Sequence, residues 1–301
     1  VSFVEALSNI PESSVWLANQ RSKETKRTYG KAVNDFINFT GIKNEDDWKI
    51  ITQAHLIAWR NLLIENGTSP YSVNTKLSAI SSLFKHFCEK RVVSENPVTG
   101  IKRLRINKKE VKTSVITKDQ VRKMLDAPND KTLKGLRDKT ILNILFYCGC
   151  RISEVCSLKV KDFYTDGGYE VLSFIVKGGM RNKIAVNHEP VIVLNKYLQA
   201  AGHGDEAESP LILSVQRPGL RKHLNSSQVN RIFHKYADAV GLCGSVRPHT
   251  ARATFITEAL ENKCPIEAVQ KSVGHAHVST TQMYDKRITK YRESAGFAVR
   301  Y

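Results

Sequence analysis

No stretch of this chain approaches the ~18 uncharged apolar residues that a membrane-spanning helix requires, so an integral membrane protein is excluded at the level of helices. The opening residues, VSFVEALSNIPESS, lack a basic region followed by an apolar run, so no secretory signal is expected. The first residue is Val1 rather than Met, which fits a trimmed native start. The six cysteines form no CxxC pair, and Cys148-Gly149-Cys150 has the wrong spacing for a zinc knuckle. They sit mostly inside apolar segments, which predicts buried, reduced thiols and a cytoplasmic protein. Neither a GxxxxGK[ST] phosphate loop nor a GxGxxG turn after a strand is present. No carboxylate cluster offers the ligand set of a two-metal nuclease. Work on DNA would therefore proceed without ATP, Mg²⁺ or any cofactor.

Acidic residues are also scarce, at 29 against 46 lysines and arginines. The resulting net charge of +17 points to a polyanionic partner, most often nucleic acid. Residues 1–112 hold 18 basic and 11 acidic residues, and residues 113–301 hold 28 and 18. Both parts are thus basic, and two faces could grip one polyanion.

Apolar positions recur at helical spacing over residues 22–39, 51–65 and 71–88, with breaks at Asn66-Gly67 and Glu95-Asn96-Pro97. Residues 1–101 are therefore expected to form an all-α domain with Trp16, Trp48 and Trp59 in its core. Residues 102–112, KRLRINKKEVK, carry six basic residues and one acid, and read as an exposed linker able to lie along phosphates. Residues 113–301 read as mixed α/β, mostly helical. A capping box at Thr117–Gln120 opens this part, and a helix over 133–148 follows. Residues 170–176 and 183–186 form a hairpin, 210–215 a further strand, and helices cover about 190–201, 227–240, 250–262 and 265–273.

Five polar motifs in this second part carry chemistry. Arg151 directly follows an apolar helix, and Glu154, three residues on, is placed to pair with it. Lys177 leads the turn of the hairpin. His249 and Arg252 share a face near a helix start, a setting suited to phosphate. Gly274-His275 and Thr280-Thr281-Gln282-Met283-Tyr284 complete the set. His275 and His277 could hold a metal, but no third ligand is evident, so no metal site is expected.

The order Arg-Ile-Ser-Glu, hairpin Lys, Pro-His-x-x-Arg, Gly-His, Thr-Thr-x-x-Tyr resembles the tyrosine recombinase family of the lambda-integrase type, across Arg151 to Tyr284. Thr25-Lys26-Arg27-Thr28-Tyr29 and Glu95-Asn96-Pro97 resemble that family's helical core-binding domain. The resemblance implies a core-binding domain (1–101), a basic linker (102–112) and a catalytic domain (113–301), clamped around duplex DNA with specific recombination sites. It also implies a homotetramer on DNA, with the segment after Tyr284 docked onto a neighbouring protomer through Ile288, Tyr291, Ala295, Phe297 and Val299. Ala251 and Ala253 stand where the family often has Leu and His, which predicts altered packing and retained activity.

The residue types fit that chemistry independently. A tyrosine hydroxyl can attack a phosphodiester and conserve its bond energy in a phosphotyrosine ester, and Tyr284 is the candidate. Arg151 and Arg252 meet the charge that develops on the phosphate oxygens. His249 is the candidate base and Lys177 the candidate acid, with Arg181 and Lys183 as competitors, because the KGGMRNK turn is one residue longer than the family's usual one. His275 is expected to bond the phosphate. Lys26, Arg27, Asn74, Lys76, Lys102, Arg103, Arg105 and Lys108 are candidate DNA contacts; for Asn74, Lys76 and Arg60 a solvated face is the alternative. The competing readings are a type IB topoisomerase and a non-catalytic DNA-binding regulator.

Overall fold

The computed structural model describes residues 10–106, 115–176, 179–214, 222–244 and 246–285. Val1, Lys108, Lys177 and the segment 286–301 lie outside the described residues. The chain divides into two compact units, residues 1–111 and 112–301.

The described part of the first unit contains helices and turns and no strand. It comprises α1 (Glu12–Ala18), α2 (Lys23–Thr40), a 3-10 turn (Asp46–Ile50), α3 (Gln53–Glu65) and α4 (Pro70–Glu89). Local chemistry sets the helix ends. The Ser22 hydroxyl accepts the Thr25 amide at 3.0 Å to start α2, and Gly41, at φ +75°, stops it. Ser69 caps α4, and Pro70 occupies its first turn, where a missing N–H costs nothing. The expected tryptophans are core residues. Phe36 packs edge-on to Trp59 at 5.0 Å and stacks on Trp48 at 6.1 Å, and Trp48 meets Phe84 and Phe87. Burying side chains of this size supplies roughly 1.5–3 kcal/mol each.

The second unit runs α5 (Lys118–Asp126), α6 (Leu133–Cys148), α7 (Ile152–Ser157), β1 (Phe163–Asp166), β2 (Tyr169–Ile175), β3 (Arg181–Ala185), α8 (His188–Ala201), α9 (Ser226–Ala239), α10 (Pro248–Glu261), α11 (Ile266–Val273) and α12 (Val278–Gln282). The strands form an antiparallel sheet in the order β1-β2-β3, with Leu172 paired to both Phe163 and Ile184. The Thr117–Gln120 capping box is present, with the Thr117 amide donating to Gln120 Oε1 at 2.9 Å. Helix α6 is buried on most of its circumference. Among its apolar neighbours lies one polar network: Arg137 donates twice to Asp138, whose other oxygen accepts the Tyr236 hydroxyl at 2.9 Å. A buried carboxylate is tolerable only when its oxygens are satisfied in this way.

Three expectations are corrected here. Strand β1 was not expected: four residues before Gly167-Gly168 carry too little alternation, and pairing with β2 is what orders them. The described part of residues 210–215 joins no strand. Leu211 instead donates to the Leu158 carbonyl at 2.8 Å, and the pairing consists of isolated bridges, Lys159 with Pro210 and Leu213 with His223. Finally, only Cys148 and Cys150 are fully buried; Cys243 is exposed because it sits in the turn after α9.

Candidate active site

Helix α6 ends at Gly149, whose left-handed φ of +59° turns the chain sharply. A Cβ there would lie 2.5 Å from Phe255 Cδ1, so glycine is required both by conformation and by space. The turn delivers Arg151 to the N-cap of α7. Glu154, with 3% of its surface exposed, gives one carboxylate oxygen to the Arg151 amide (2.7 Å) and the other to Arg151 Nη1 (2.6 Å). The same carboxylate caps the helix and aims the guanidinium. Arg151 keeps about a third of its side chain exposed, 34%, which leaves donors free for a ligand.

Arg252 projects from α10 and is 1% exposed. Nη1 donates to the Gly149 carbonyl and Nη2 to the Val273 carbonyl, each at 2.7 Å. Its Nε has no partner among the described residues. Burial, then the like charge of Arg151, pushes its pKa down to about 10, so it stays cationic at neutral pH. A buried cation with an unpartnered donor, beside a second cation, is a site built for an anion.

Pro248 starts α10 and brings His249 to its first turn. Tyr284 follows α12, with its hydroxyl 3.2 Å from His249 Nε2. Its ring stacks on His275, at 6.3 Å between centroids and 17° between planes. Partial loss of water contact, then the charges of Arg252 and Arg151, lower the His249 pKa below its ordinary value, which favours the neutral imidazole that can accept the tyrosine proton. His275 sits just past Gly274, which ends α11 at φ +62°. Its Nδ1 lies 3.0 Å from Thr281 Oγ1. Burial, then Arg252 and Arg151, push its pKa down to about 4.

A Cβ on Gly274 would lie 2.6 Å from Val176 Cγ1, the residue before Lys177. On the far side of the turn, Asn182 Nδ2 donates to the Ser272 carbonyl at 2.8 Å. Both arms of the hairpin are therefore anchored beside His275. Lys177 itself lies outside the described residues. Its two competitors are engaged elsewhere: Arg181 donates to Asp162 (3.1 Å) and Ser173 (3.3 Å), and Lys183 pairs with Asp166 (3.0 Å) over the Tyr164 ring. The bond to Asp166 raises the Lys183 pKa, which makes it a poorer proton donor.

The structure thus brings Arg151, Glu154, Arg252, His249, His275 and Tyr284 together. In the first unit the candidates behave differently. The Asn74 side chain donates to the Leu104 carbonyl (2.9 Å) and accepts from the Leu104 amide (3.0 Å), so it pins the chain. Lys76 pairs with Asp35 at 2.7 Å, and Arg60 donates to the Lys102 carbonyl. Arg27 is paired with Glu24, and Lys26 is half-buried on α2. The described part of the basic stretch is not a free linker: Leu104 packs on the first unit's core, and Arg103 Nη1 donates to the Asn74 carbonyl at 3.1 Å. Lys102, Arg103 and Arg105 remain exposed. Sequence reasoning missed the Gly149 and Val273 carbonyls and the Thr281 hydroxyl. Backbone acceptors leave no mark in a sequence beyond the glycines that turn them inward.

The architecture and this cluster define an enzyme that transfers DNA strands through a tyrosine. Residues 114–290 match the Phage integrase family, and residues 16–93 match the N-terminal SAM-like domain of phage integrases. The tyrosine recombinase XerC of Pelobacter propionicus is 30% identical over 266 residues, 87% of this chain and 84% of that protein. XerD of Listeria monocytogenes is 27% identical over 282 residues, 90% of each chain. The fold matches a lambda integrase tetramer bound to a Holliday junction, with a TM-score of 0.71 at 17% identity, over 98% of this chain and 80% of that one. The chain belongs to the phage integrase family, the tyrosine recombinases.

Proposed function

We propose that this site carries out site-specific DNA recombination as follows. Arg151 and Arg252 hold the scissile phosphate. Tyr284 Oη attacks phosphorus as His249 Nε2 takes its proton; the new bond is a 3′-phosphotyrosine ester, and the bond to the 5′ oxygen breaks. Lys177 supplies the proton that the leaving 5′ oxygen needs. A 5′ hydroxyl from a partner strand then attacks the ester and releases Tyr284. The exchange is isoenergetic, so nothing in it calls for ATP. The negative charge that builds on the non-bridging oxygens meets two forked cations and a donor from His275. The single observation that carries this reading is the Tyr284 hydroxyl at 3.2 Å from His249 Nε2, with its ring stacked on His275.

Residues 1–101 would grip DNA as a core-binding domain, 102–112 would run along the backbone, and 113–301 would catalyse. The working assembly is a homotetramer on a Holliday junction that exchanges its C-terminal segments, as a tetramer of the fold neighbour occupies such a junction. No described helix is long and apolar enough to cross a membrane, and the +17 charge supports residence on nucleoid DNA in the cytoplasm.

The test uses a nicked suicide duplex carrying the recombination site. Wild type should give an SDS-resistant protein–DNA adduct. Tyr284→Phe should bind equally and give none. An adduct from the Phe variant would overturn the assignment. Relaxation of any supercoiled plasmid without a target site would indicate a topoisomerase instead, and binding without any adduct a regulator.

A further inference from the structure

We infer that Thr281 is a positioning residue that fixes which ring nitrogen of His275 faces the scissile phosphate. The inference rests on the reading that His275 contacts that phosphate.

Thr281 is fully buried, at 0% exposure, and lies three residues before Tyr284 on the segment that carries the nucleophile. Its hydroxyl is 3.0 Å from His275 Nδ1. A threonine within a helix usually returns its hydroxyl to the carbonyl four residues back. Here, among the described residues, the hydroxyl's partner is the imidazole; a buried hydroxyl that accepted from Nδ1–H would leave its own hydrogen unsatisfied, so we assign the hydroxyl as donor and Nδ1 as acceptor. A neutral imidazole carries one proton; if Nδ1 accepts, that proton sits on Nε2 and makes Nε2 a donor. The ring is neutral across the working range, since burial and the two arginines push its pKa down to about 4. A neutral ring can donate to a phosphate oxygen only in the correct tautomer, and the Thr281 hydroxyl selects it.

The same residue also holds the nucleophile. Its carbonyl accepts the Tyr284 amide at 3.0 Å, while Tyr284 stacks on the His275 ring. The loop ahead of His275 is fixed separately, by the His275 amide on the Gln270 carbonyl (3.1 Å) and Gln270 Nε2 on the His275 carbonyl (3.0 Å). The main chain of His275 is thus placed without Thr281, and the hydroxyl is left to orient the ring.

Thr281→Val keeps the shape and removes the hydroxyl; Thr281→Ser keeps the hydroxyl. Single-turnover cleavage of the suicide duplex at saturating DNA should fall on the order of 10- to 100-fold in the Val variant, as for other orienting hydrogen bonds. It should recover to near wild type in the Ser variant, with DNA affinity unchanged in both. Long-range ¹H–¹⁵N spectra of protein labelled at histidine nitrogen, with His275 assigned by its loss in His275→Asn, should show the Nε2–H tautomer in wild type. They should show a mixture in Thr281→Val. Added to His275→Ala, Thr281→Val should lower cleavage no further. Wild-type cleavage and tautomer in Thr281→Val would overturn the inference, as would an equal loss in the His275→Ala background. Full cleavage by His275→Ala alone would instead sink the phosphate role of His275, and the spectra would still report the tautomer.

Discussion

Arg252 and Gly149 are 103 positions apart, yet Arg252 Nη1 donates to the Gly149 carbonyl at 2.7 Å. The second candidate arginine thereby holds the turn that presents the first. The other end of its guanidinium grips Val273, beside His275, so one buried fork joins three parts of the site.

Gly149→Ala tests this joint. The substitution forces an L side chain into the left-handed region, at roughly 1–2 kcal/mol. It also drives a methyl to 2.5 Å from Phe255, and repacking adds about 1–3 kcal/mol. Urea denaturation should show a loss of that size. Single-turnover cleavage should fall at temperatures where the variant is still folded, because the carbonyl that anchors Arg252 moves. Unchanged cleavage in a folded variant would show that the anchor is dispensable.

Arg151 and the basic stretch should separate chemistry from binding. Arg151→Lys keeps the charge but loses the planar fork that Glu154 aims. Cleavage should drop on the order of 10²-fold, with affinity little changed. Neutralising Lys102, Arg103 and Arg105 should do the reverse, weakening binding and reducing the slope of log K against log salt by up to ~3 if each meets a phosphate. Salt-titrated binding and single-turnover cleavage of both variants decide the matter. Weaker binding with intact cleavage in Arg151→Lys would move it out of the active site.

Acid should act on the site in two ways. The proposed base His249 must be unprotonated to act, and its pKa lies below the usual 6.5. Cleavage should therefore be level through neutral pH and decline only in acid below that value. His275 has a folded pKa of about 4 against the usual 6.5. Between those values the unfolded chain binds a proton that the folded chain refuses, so stability falls as pH falls through this window. Urea midpoints across it should show a flatter pH dependence in His275→Asn than in wild type.

Chelation should not stop the reaction. Among the described residues no group of three or more His, Cys, Asp or Glu side chains could hold a metal ion. In the proposed mechanism Arg151 and Arg252 meet the charge on the phosphate oxygens. Suicide-substrate cleavage in EDTA should match that in Mg²⁺ within a few-fold; abolition by EDTA and restoration by Mg²⁺ would contradict the arginine mechanism.

The longer helices were legible because their causes are local, whereas the short α1, α7 and α12 were not read. The 133–148 helix appears with those bounds as α6, since its apolar run and Gly149 stop are both written in adjacent residues. The Thr117 capping box was readable for the same reason. Strand β1 was not, because its partner, not its own pattern, makes it a strand. The partners of Asn74 and Lys76 were not legible either, since nothing local reveals that Leu104 and Asp35 fold against them.

The sequence by itself determined the order of the longer helices, the excess of positive charge and the side chains able to perform phosphoryl transfer, because propensity, capping and residue chemistry act within a few positions. The tertiary structure decided the rest. It alone brings Tyr284 to His249 across 35 positions and Arg252 to Gly149 across 103. It alone sets exposed His249 and buried His275 near two guanidinium groups, where loss of water contact and like charge lower both pKa values. Protonation state and hydrogen-bond direction depend on what surrounds a group in space, and only packing supplies those surroundings.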